Sequence, residues 1–310
     1  MGKTASRKAF GEALSELGDK YKNVVCLDAD LSKSTMSILF KNKFPDRFFE
    51  MGIQEANMIG AATGMSFSGK IPFICSFAAF LTGRFDQIRI SIAYANANVK
   101  LIGTHCGVGI GEDGYSQMGL EDLSIMRTLP NMVVLQPADA KETKEMVEWS
   151  INHVGPVYLR LTRQGLKDMN MDKFERPGIF PEVKKGQKVA FMACGGVLEY
   201  ALEAAHNIAK EGKIDPAVFN ANCLNPIDNA FMSMLANNFD EFIVFEDHTI
   251  NGGTGGMIAE WMSENANRPK RVRRYGIRNI FGESGTPEDL YKFHGFTAPD
   301  IEKFAKKYLL

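Results

Sequence analysis

Short, mainly apolar runs separated by much longer stretches of helical periodicity constrain this chain more than any other feature. Val24 to Leu27, Ile71 to Ser76, Val99 to Gly103, Met132 to Leu135 and Val157 to Leu161 are too short for buried helices, and lacking a regular apolar/polar alternation they read as buried strands and not as strands with one wet face. Strands buried on both faces belong to parallel sheets, and a parallel pair needs a crossover long enough to hold a helix. The intervening segments have that length. The pattern predicts a parallel sheet covered by helices on both sides.

The alternation is interrupted once, at Arg176-Pro177-Gly178-Ile179-Phe180-Pro181, where two prolines and a glycine read as a linker. It then resumes with strands over Val189 to Ala193 and near Pro216 to Phe219, Phe242 to Phe245 and Val272 to Tyr275. Helices are expected over Glu199 to Lys210 and near Asn229 to Asn238, Gly255 to Asn265 and Pro299 to Tyr308. In the first block, Asp139 followed by Glu142 is a helix-start signature opening Ala140 to Asn152. The expected fold is α/β with two consecutive doubly wound domains. Residues 1–176 hold a parallel sheet, 177–186 form the linker, and 187–310 hold a mostly parallel sheet.

A chain of 310 residues that is 45% hydrophobic has enough apolar material for both cores. The net charge of -1 and the lack of any long like-charge run speak against nucleic acid or an anionic membrane as the main partner. The small basic group Arg268, Lys270, Arg271, Arg273 and Arg274 reads as a solvated strand edge. No apolar run approaches the roughly 18 residues of a membrane span, and the first residues lack a signal core, so a cytoplasmic protein is expected. Five widely spaced cysteines with no CxxC pair read as buried reduced thiols, with neither disulfides nor a metal site.

Three stretches could carry chemistry. Phe49-Glu50-Met51-Gly52-Ile53-Gln54-Glu55-Ala56-Asn57-Met58 reads as a strand end, a turn at Gly52 and a helix start, with Glu55 in the first turn where the helix dipole favours a carboxylate. By itself this segment also fits a capping box, with Gly52 as the N-cap and Glu55 as the third helical residue. Ser76 to Gln87 places Phe77 and Phe80 at a strand-to-helix junction, where they could wall a flat ring or simply pack in the core. Gly103 to Gly119 is a polar, glycine-dense loop after a buried strand, and its spacing is not a dinucleotide-binding fingerprint. Arg7, His105 and Arg163, with Ser34 in a polar loop, all fall near strand ends of one sheet and suit a phosphate group.

Read together, Ile53-Gln54-Glu55-Ala56-Asn57-Met58, Phe77-Ala78-Ala79-Phe80, Phe85-Asp86-Gln87-Ile88-Arg89, Cys106-Gly107-Val108, Gly111-Glu112-Asp113-Gly114 and Ser116-Gln117-Met118 make the chain resemble the carboxyl-terminal half of a transketolase, from about Thr4 onward. The resemblance covers the pyrimidine-binding and C-terminal domains. The diphosphate-binding domain's Gly-Asp-Gly motif occurs nowhere in the chain. What the resemblance implies is half an enzyme. Thiamine diphosphate is the expected cofactor, with its diphosphate and a divalent metal, Mg or Ca, held by a separate N-terminal transketolase subunit. This chain would form a homodimer within a heterotetramer.

The same resemblance gives roles. Glu55 bonds N1′ of the aminopyrimidine and favours its imino tautomer, Phe77 and Phe80 wall that ring, and Asp30 and Gln117 lie near the cofactor. Arg7, Ser34, His105 and Arg163 bind the phosphate of a sugar phosphate, and Asp113 binds a substrate hydroxyl. Many relatives carry a histidine where Gln117 stands, and a glutamine cannot be a general base, so proton handling falls to His105, the cofactor or the missing half. The expected function is a two-carbon ketol transfer from a ketose phosphate to an aldose phosphate. A 2-oxo-acid dehydrogenase β subunit, a deoxyxylulose-phosphate-synthase-like enzyme and a cofactor-less scaffold are the alternatives.

Overall fold

The computed structural model describes residues 2–309. The first block supplies strands β1 (Val24–Asp28), β2 (Phe48–Glu50), β3 (Ile71–Phe77), β4 (Lys100–Thr104), β5 (Val133–Leu135) and β6 (Val157–Arg160), and helices α1 (Ser6–Leu17), α2 (Glu55–Phe67), α3 (Asp122–Arg127) and α4 (Ala140–Asn152). The second supplies β7 (Glu182–Lys184), β8 (Lys188–Ala193), β9 (Ala217–Asn220), β10 (Cys223–Asn225), β11 (Phe239–Thr249) and β12 (Arg271–Ile277). Its helices are α5 (Leu198–Lys210), α6 (Asn229–Asn238), α7 (Thr254–Asn265), α8 (Pro287–Phe293) and α9 (Ala298–Leu309).

The first sheet runs β10-β5-β6-β4-β3-β1-β2 and the second β12-β11-β8-β9-β7. All pairings among β1 to β6 are parallel, as the apolar runs require. Successive side chains of a strand point to opposite faces, and each face finds its own helices. Val24 and Cys26 of β1 pack with Phe10 and Leu14 of α1 and Met146 and Val147 of α4. Val25 and Leu27 pack on the other side with Met58, Ile59 and Ala62 of α2. The second sheet is wound the same way, with α6 and α7 on one face and α5 and α9 on the other.

Two departures tie the blocks together. The segment expected to be a linker contains β7, which pairs antiparallel with β9 at the edge of the second sheet. Three residues, Glu182 to Lys184, are too few to show an alternating pattern. The first sheet is not purely parallel either: β10, from the second block, adds an antiparallel edge strand to β5. The core follows the chain across, because the α1 and α4 side of the first sheet is continuous with Ala190, Met192, Phe242 and Val244 of the second.

The Asp139 cap forms as expected, its Oδ1 accepting from the Glu142 N–H at 2.8 Å. The Glu142 side chain reaches one residue past the N-cap. Its buried carboxylate accepts from Ala138 N at 2.6 Å and from the side-chain amides of Asn220 and Asn222, joining α4 to the second block. All five cysteines are free and buried. No helix among the described residues is long and apolar enough to cross a membrane.

Candidate active site

The carboxyl ends of β1, β3, β4 and β6 open onto one edge of the first sheet, where ligands bind in folds of this kind. Gly52 turns the chain with φ +69°, and α2 then begins at Glu55 itself, after an N-cap at Gln54 that makes no side-chain cap. The capping-box reading of Glu55 is thereby overturned: it is the first helical residue, not the third. Its side chain leaves its own helix for the neighbouring strand, where Oε1 accepts from Ser76 Oγ at 3.1 Å, and the residue is only 4% exposed. Among the described residues, Oε2 has no protein donor.

Phe77 follows Ser76 at the end of β3. Its ring stacks on Phe80 at 5.5 Å and 15°, and on the His105 imidazole at 3.7 Å and 26°. Phe77 is buried and Phe80 half-buried, so the three rings form one wall with its outer end open. His105 itself holds φ +60°, a left-handed conformation that a residue with a Cβ rarely adopts. Such a backbone persists only where its surroundings hold it, and such residues cluster at functional sites.

Hydrogen bonds settle the state of His105. An arginine can only donate, so the 3.1 Å contact from Arg7 Nη1 makes Nε2 the acceptor. The ring proton then sits on Nδ1, which donates to Thr104 Oγ1 at 2.8 Å. Burial, with the charges of Arg7 and Arg163 adding to it, pushes the imidazole down to about 3. The unfolded chain therefore takes up this proton more readily between about 6.5 and 3. Its contribution to stability is complete above pH 6.5 and is lost as the pH falls toward 3. Nitrogen-15 imidazole shifts should show His105 neutral, with its proton on Nδ1, throughout pH 5 to 8. A titration near 6.5 would contradict this geometry.

The same Arg7 Nη1 also donates to the backbone oxygen of Ser34 at 2.6 Å. The sequence pointed to the Ser34 hydroxyl; the structure uses its carbonyl to orient Arg7. Arg163 donates to Ile110 O and to Glu112 Oε2 at 2.9 Å, the second a largely solvated pair that a substrate anion could displace. The charges of Arg163 and Asp113 both act on Arg7, so these groups share one region. Asp113 is exposed and Gln117 half-buried in a tight turn, and neither side chain hydrogen-bonds among the described residues.

Asp30 is exposed at φ +64°, and its carboxylate makes no hydrogen bond among the described residues; its N–H donates to Glu50 Oε1 at 2.8 Å. The buried acid of that turn is Asp28, which sequence reasoning passed over. It accepts from Leu31 N, Thr35 Oγ1 and Ser37 Oγ at 2.6 to 2.8 Å, and burial raises it to about 6. Its place as the last residue of a buried strand was the available signal.

The fold defines a two-domain, doubly wound α/β protein whose first sheet gathers these side chains at its carboxyl edge. The chain belongs to the transketolase family. The family model for the transketolase pyrimidine-binding domain matches residues 2–169, and that for the transketolase C-terminal domain matches residues 179–301. A putative transketolase C-terminal section from Methanocaldococcus jannaschii is 39% identical over 301 residues, 96% of this chain and 94% of that protein. The 6-deoxy-6-sulfo-D-fructose transketolase subunit SqwH from a Clostridium species is 35% identical, across 96% of this chain and 92% of its own length. A solved structure described as a split gene transketolase, inactive beta4 tetramer, superposes with a TM-score of 0.89 at 42% identity, covering 98% of each chain.

Proposed function

We propose that this chain is the C-terminal subunit of a split, thiamine-diphosphate-dependent transketolase. It moves a two-carbon ketol unit from a ketose phosphate to an aldose phosphate. The observation that carries the reading is the buried Glu55 carboxylate, with one oxygen held by Ser76 and the other without a protein donor among the described residues, at the strand end from which the stacked Phe77 and Phe80 rings follow. That arrangement fits an aminopyrimidine, which offers a flat face to the rings and a ring nitrogen to the acid.

When bound, the cofactor supplies a carbon nucleophile that no protein side chain offers. Glu55 shares a proton with the pyrimidine N1′, Ser76 fixes the direction of the acid, and the rings exclude water from it. Arg7 and Arg163 take the substrate phosphate, and the neutral His105 imidazole, accepting from Arg7, holds that guanidinium in place without adding charge. Asp113 accepts from a substrate hydroxyl. The proton-handling role expected of His105 narrows accordingly: with Nε2 occupied by Arg7, the imidazole positions groups and is a poor base. Asp30 and Gln117 lie at the rim.

The cofactor's diphosphate and its Mg or Ca ion fall to an N-terminal subunit that carries Gly-Asp-Gly, a motif this chain lacks. Helix α2 supplies a face for association. A Cβ placed on Gly60 or Gly64 would meet nothing within 4 Å, so these glycines are unexplained by packing inside the chain, and Ile53, in the turn just before the helix, is 78% exposed. We assign that face to a second copy of the chain, within a heterotetramer.

Reconstitution tests the reading. The chain alone is expected to turn over neither xylulose 5-phosphate nor ribose 5-phosphate. Mixing it with an N-terminal transketolase section, thiamine diphosphate and Mg should restore ketol transfer, read by a coupled assay. Turnover by the pure chain would sink the half-enzyme reading. Decarboxylation of pyruvate by the mixture, with sugar phosphates ignored, would favour a dehydrogenase-type subunit.

A further inference from the structure

The glycine loop that carries Asp113 and Gln117 packs on the second domain through Tyr115 against Phe281, and it is hydrogen-bonded at its first turn to Asp247, near the end of β11. Its Oδ1 accepts from Val108 N at 2.8 Å. Its Oδ2 accepts from the Tyr291 hydroxyl of α8 at 2.8 Å, and Tyr291 in turn accepts from Gln164 Nε2 at 2.6 Å. The backbone oxygen of the same Asp247 accepts from Arg160 Nη2 at 3.1 Å, and that nitrogen also donates to Gly119 O at 3.0 Å. Both ends of the loop are therefore tied to residue 247. They also close on each other, since Gly107 N donates to Gly119 O at 2.9 Å.

The loop's glycines fit this contact. A Cβ on Gly107, at φ +77°, would come within 2.2 Å of Asp247 Oδ2. One on Gly109 would come within 1.6 Å of Gln164 Oε1, and one on Gly196, in the turn before α5, within 1.9 Å of Gln164 Nε2. Asp247 and Tyr291 are 5% and 3% exposed. Asp247 and Tyr291 thus form a buried, hydrogen-bonded latch, and the loop it holds also takes an Arg163 hydrogen bond at Ile110 O.

We propose that Asp247 and Tyr291 are positioning residues: the second domain uses them to lock the glycine loop so that Asp113 and Arg163 meet the substrate in one geometry. The proposal rests on the ketol-transfer reading for its substrate, but the latch itself can be read in the chain alone. It gives the second domain a part in the reaction without any residue of that domain touching substrate.

Tyr291→Phe removes one hydroxyl and leaves the ring in place; Asp247→Asn keeps an acceptor for Val108 N–H and removes the charge. In hydrogen exchange of the full-length chain read by mass spectrometry, residues 107 to 111 should exchange about tenfold faster in Tyr291→Phe, with α1 and α4 unchanged. In the reconstituted enzyme, KM for xylulose 5-phosphate should rise about tenfold, while exchange of the cofactor's C2 proton, which reads Glu55, stays within about twofold. Unchanged loop exchange in Tyr291→Phe would overturn the proposal, whatever Asp247→Asn does. So would faster loop exchange with KM unaltered, or equal losses in KM and C2-proton exchange, which would mark a general structural defect. A wild-type mixture inert toward sugar phosphates would defeat the functional reading and leave the loop-exchange result to stand separately.

Discussion

Glu55→Gln is expected to cut ketol transfer by the reconstituted enzyme by about 10³-fold while leaving the fold untouched. Glutamine has the same length, and its amide oxygen can still accept from Ser76 Oγ, which holds the native acid at 3.1 Å. Burial of the side chain is therefore preserved, and so is the start of α2. What is lost is a group able to share a proton with a ring nitrogen, because a primary amide has no useful basicity. Positioned proton transfer is worth about 10²- to 10⁴-fold, which sets the size of the effect. Ser76→Ala should cost far less, about tenfold, since Glu55 would keep its charge and lose only the group that aims it. Steady-state rates with xylulose 5-phosphate and ribose 5-phosphate, beside a thermal melt of each variant, check both. A Glu55→Gln enzyme within a few-fold of wild type would remove Glu55 from the centre of the chemistry. So would an equal loss in a variant that no longer folds.

Much of the fold was legible because period carries it. Short, mainly apolar runs gave the parallel strands, and α6 has the bounds Asn229 and Asn238 that its periodicity predicts. Helix α8 was missed although its signal was present: Thr286 caps the Asp289 N–H, with Pro287 in the first turn. Strands β7 and β10 were missed for a better reason, since three-residue edge strands are selected by the partner they reach and not by their own pattern.

The site divides the same way. Arg7, His105 and Arg163 could be grouped from strand-end position alone, and the structure brings them together. Glu55 and the aromatic wall needed the family resemblance to stand out from ordinary caps and core. Asp247 was invisible at that level, because its bond to Val108 spans 139 residues of sequence and neither end carries a motif. The same holds for Lys100, buried at the opposite edge of the sheet with Asn98 Oδ1, His153 O and Gly155 O as its acceptors. Nothing in an apolar run announces that a charged residue within it will find three oxygens.

The largest stability effect is expected at Asp122, the acid beneath the glycine loop. It is fully buried at the start of α3 and receives Arg160 Nε at 2.9 Å and the Tyr158 hydroxyl at 2.7 Å. Arg160 is as deeply buried and uses Nη2 on both Gly119 O and Asp247 O, so the pair joins the loop, the first sheet and the second domain. Burial by itself would raise the Asp122 carboxyl, but Arg160, then His248 and the hydrogen bonds, outweigh it and hold the group below 3.8. Asp122→Ala would leave a guanidinium in a dry interior without its counter-charge, a loss of about 3 to 5 kcal/mol. For a chain of this length that corresponds to a fall in melting temperature of roughly 5 to 8 °C. The sign with pH follows from the lowered carboxyl: the ionised pair stabilises fully above about pH 4, and its contribution disappears as the pH falls through the folded value. The gap between wild type and Asp122→Ala should therefore be constant from pH 7 to 5 and close only in stronger acid. Replacing both partners, Asp122→Leu with Arg160→Met, should recover much of the melting temperature, because no guanidinium is then left buried without its counter-charge. It should not recover loop protection in hydrogen exchange, since methionine cannot bridge Gly119 to Asp247. A double variant as unstable as Asp122→Ala would mean that the pair is held for its packing and not for its charge.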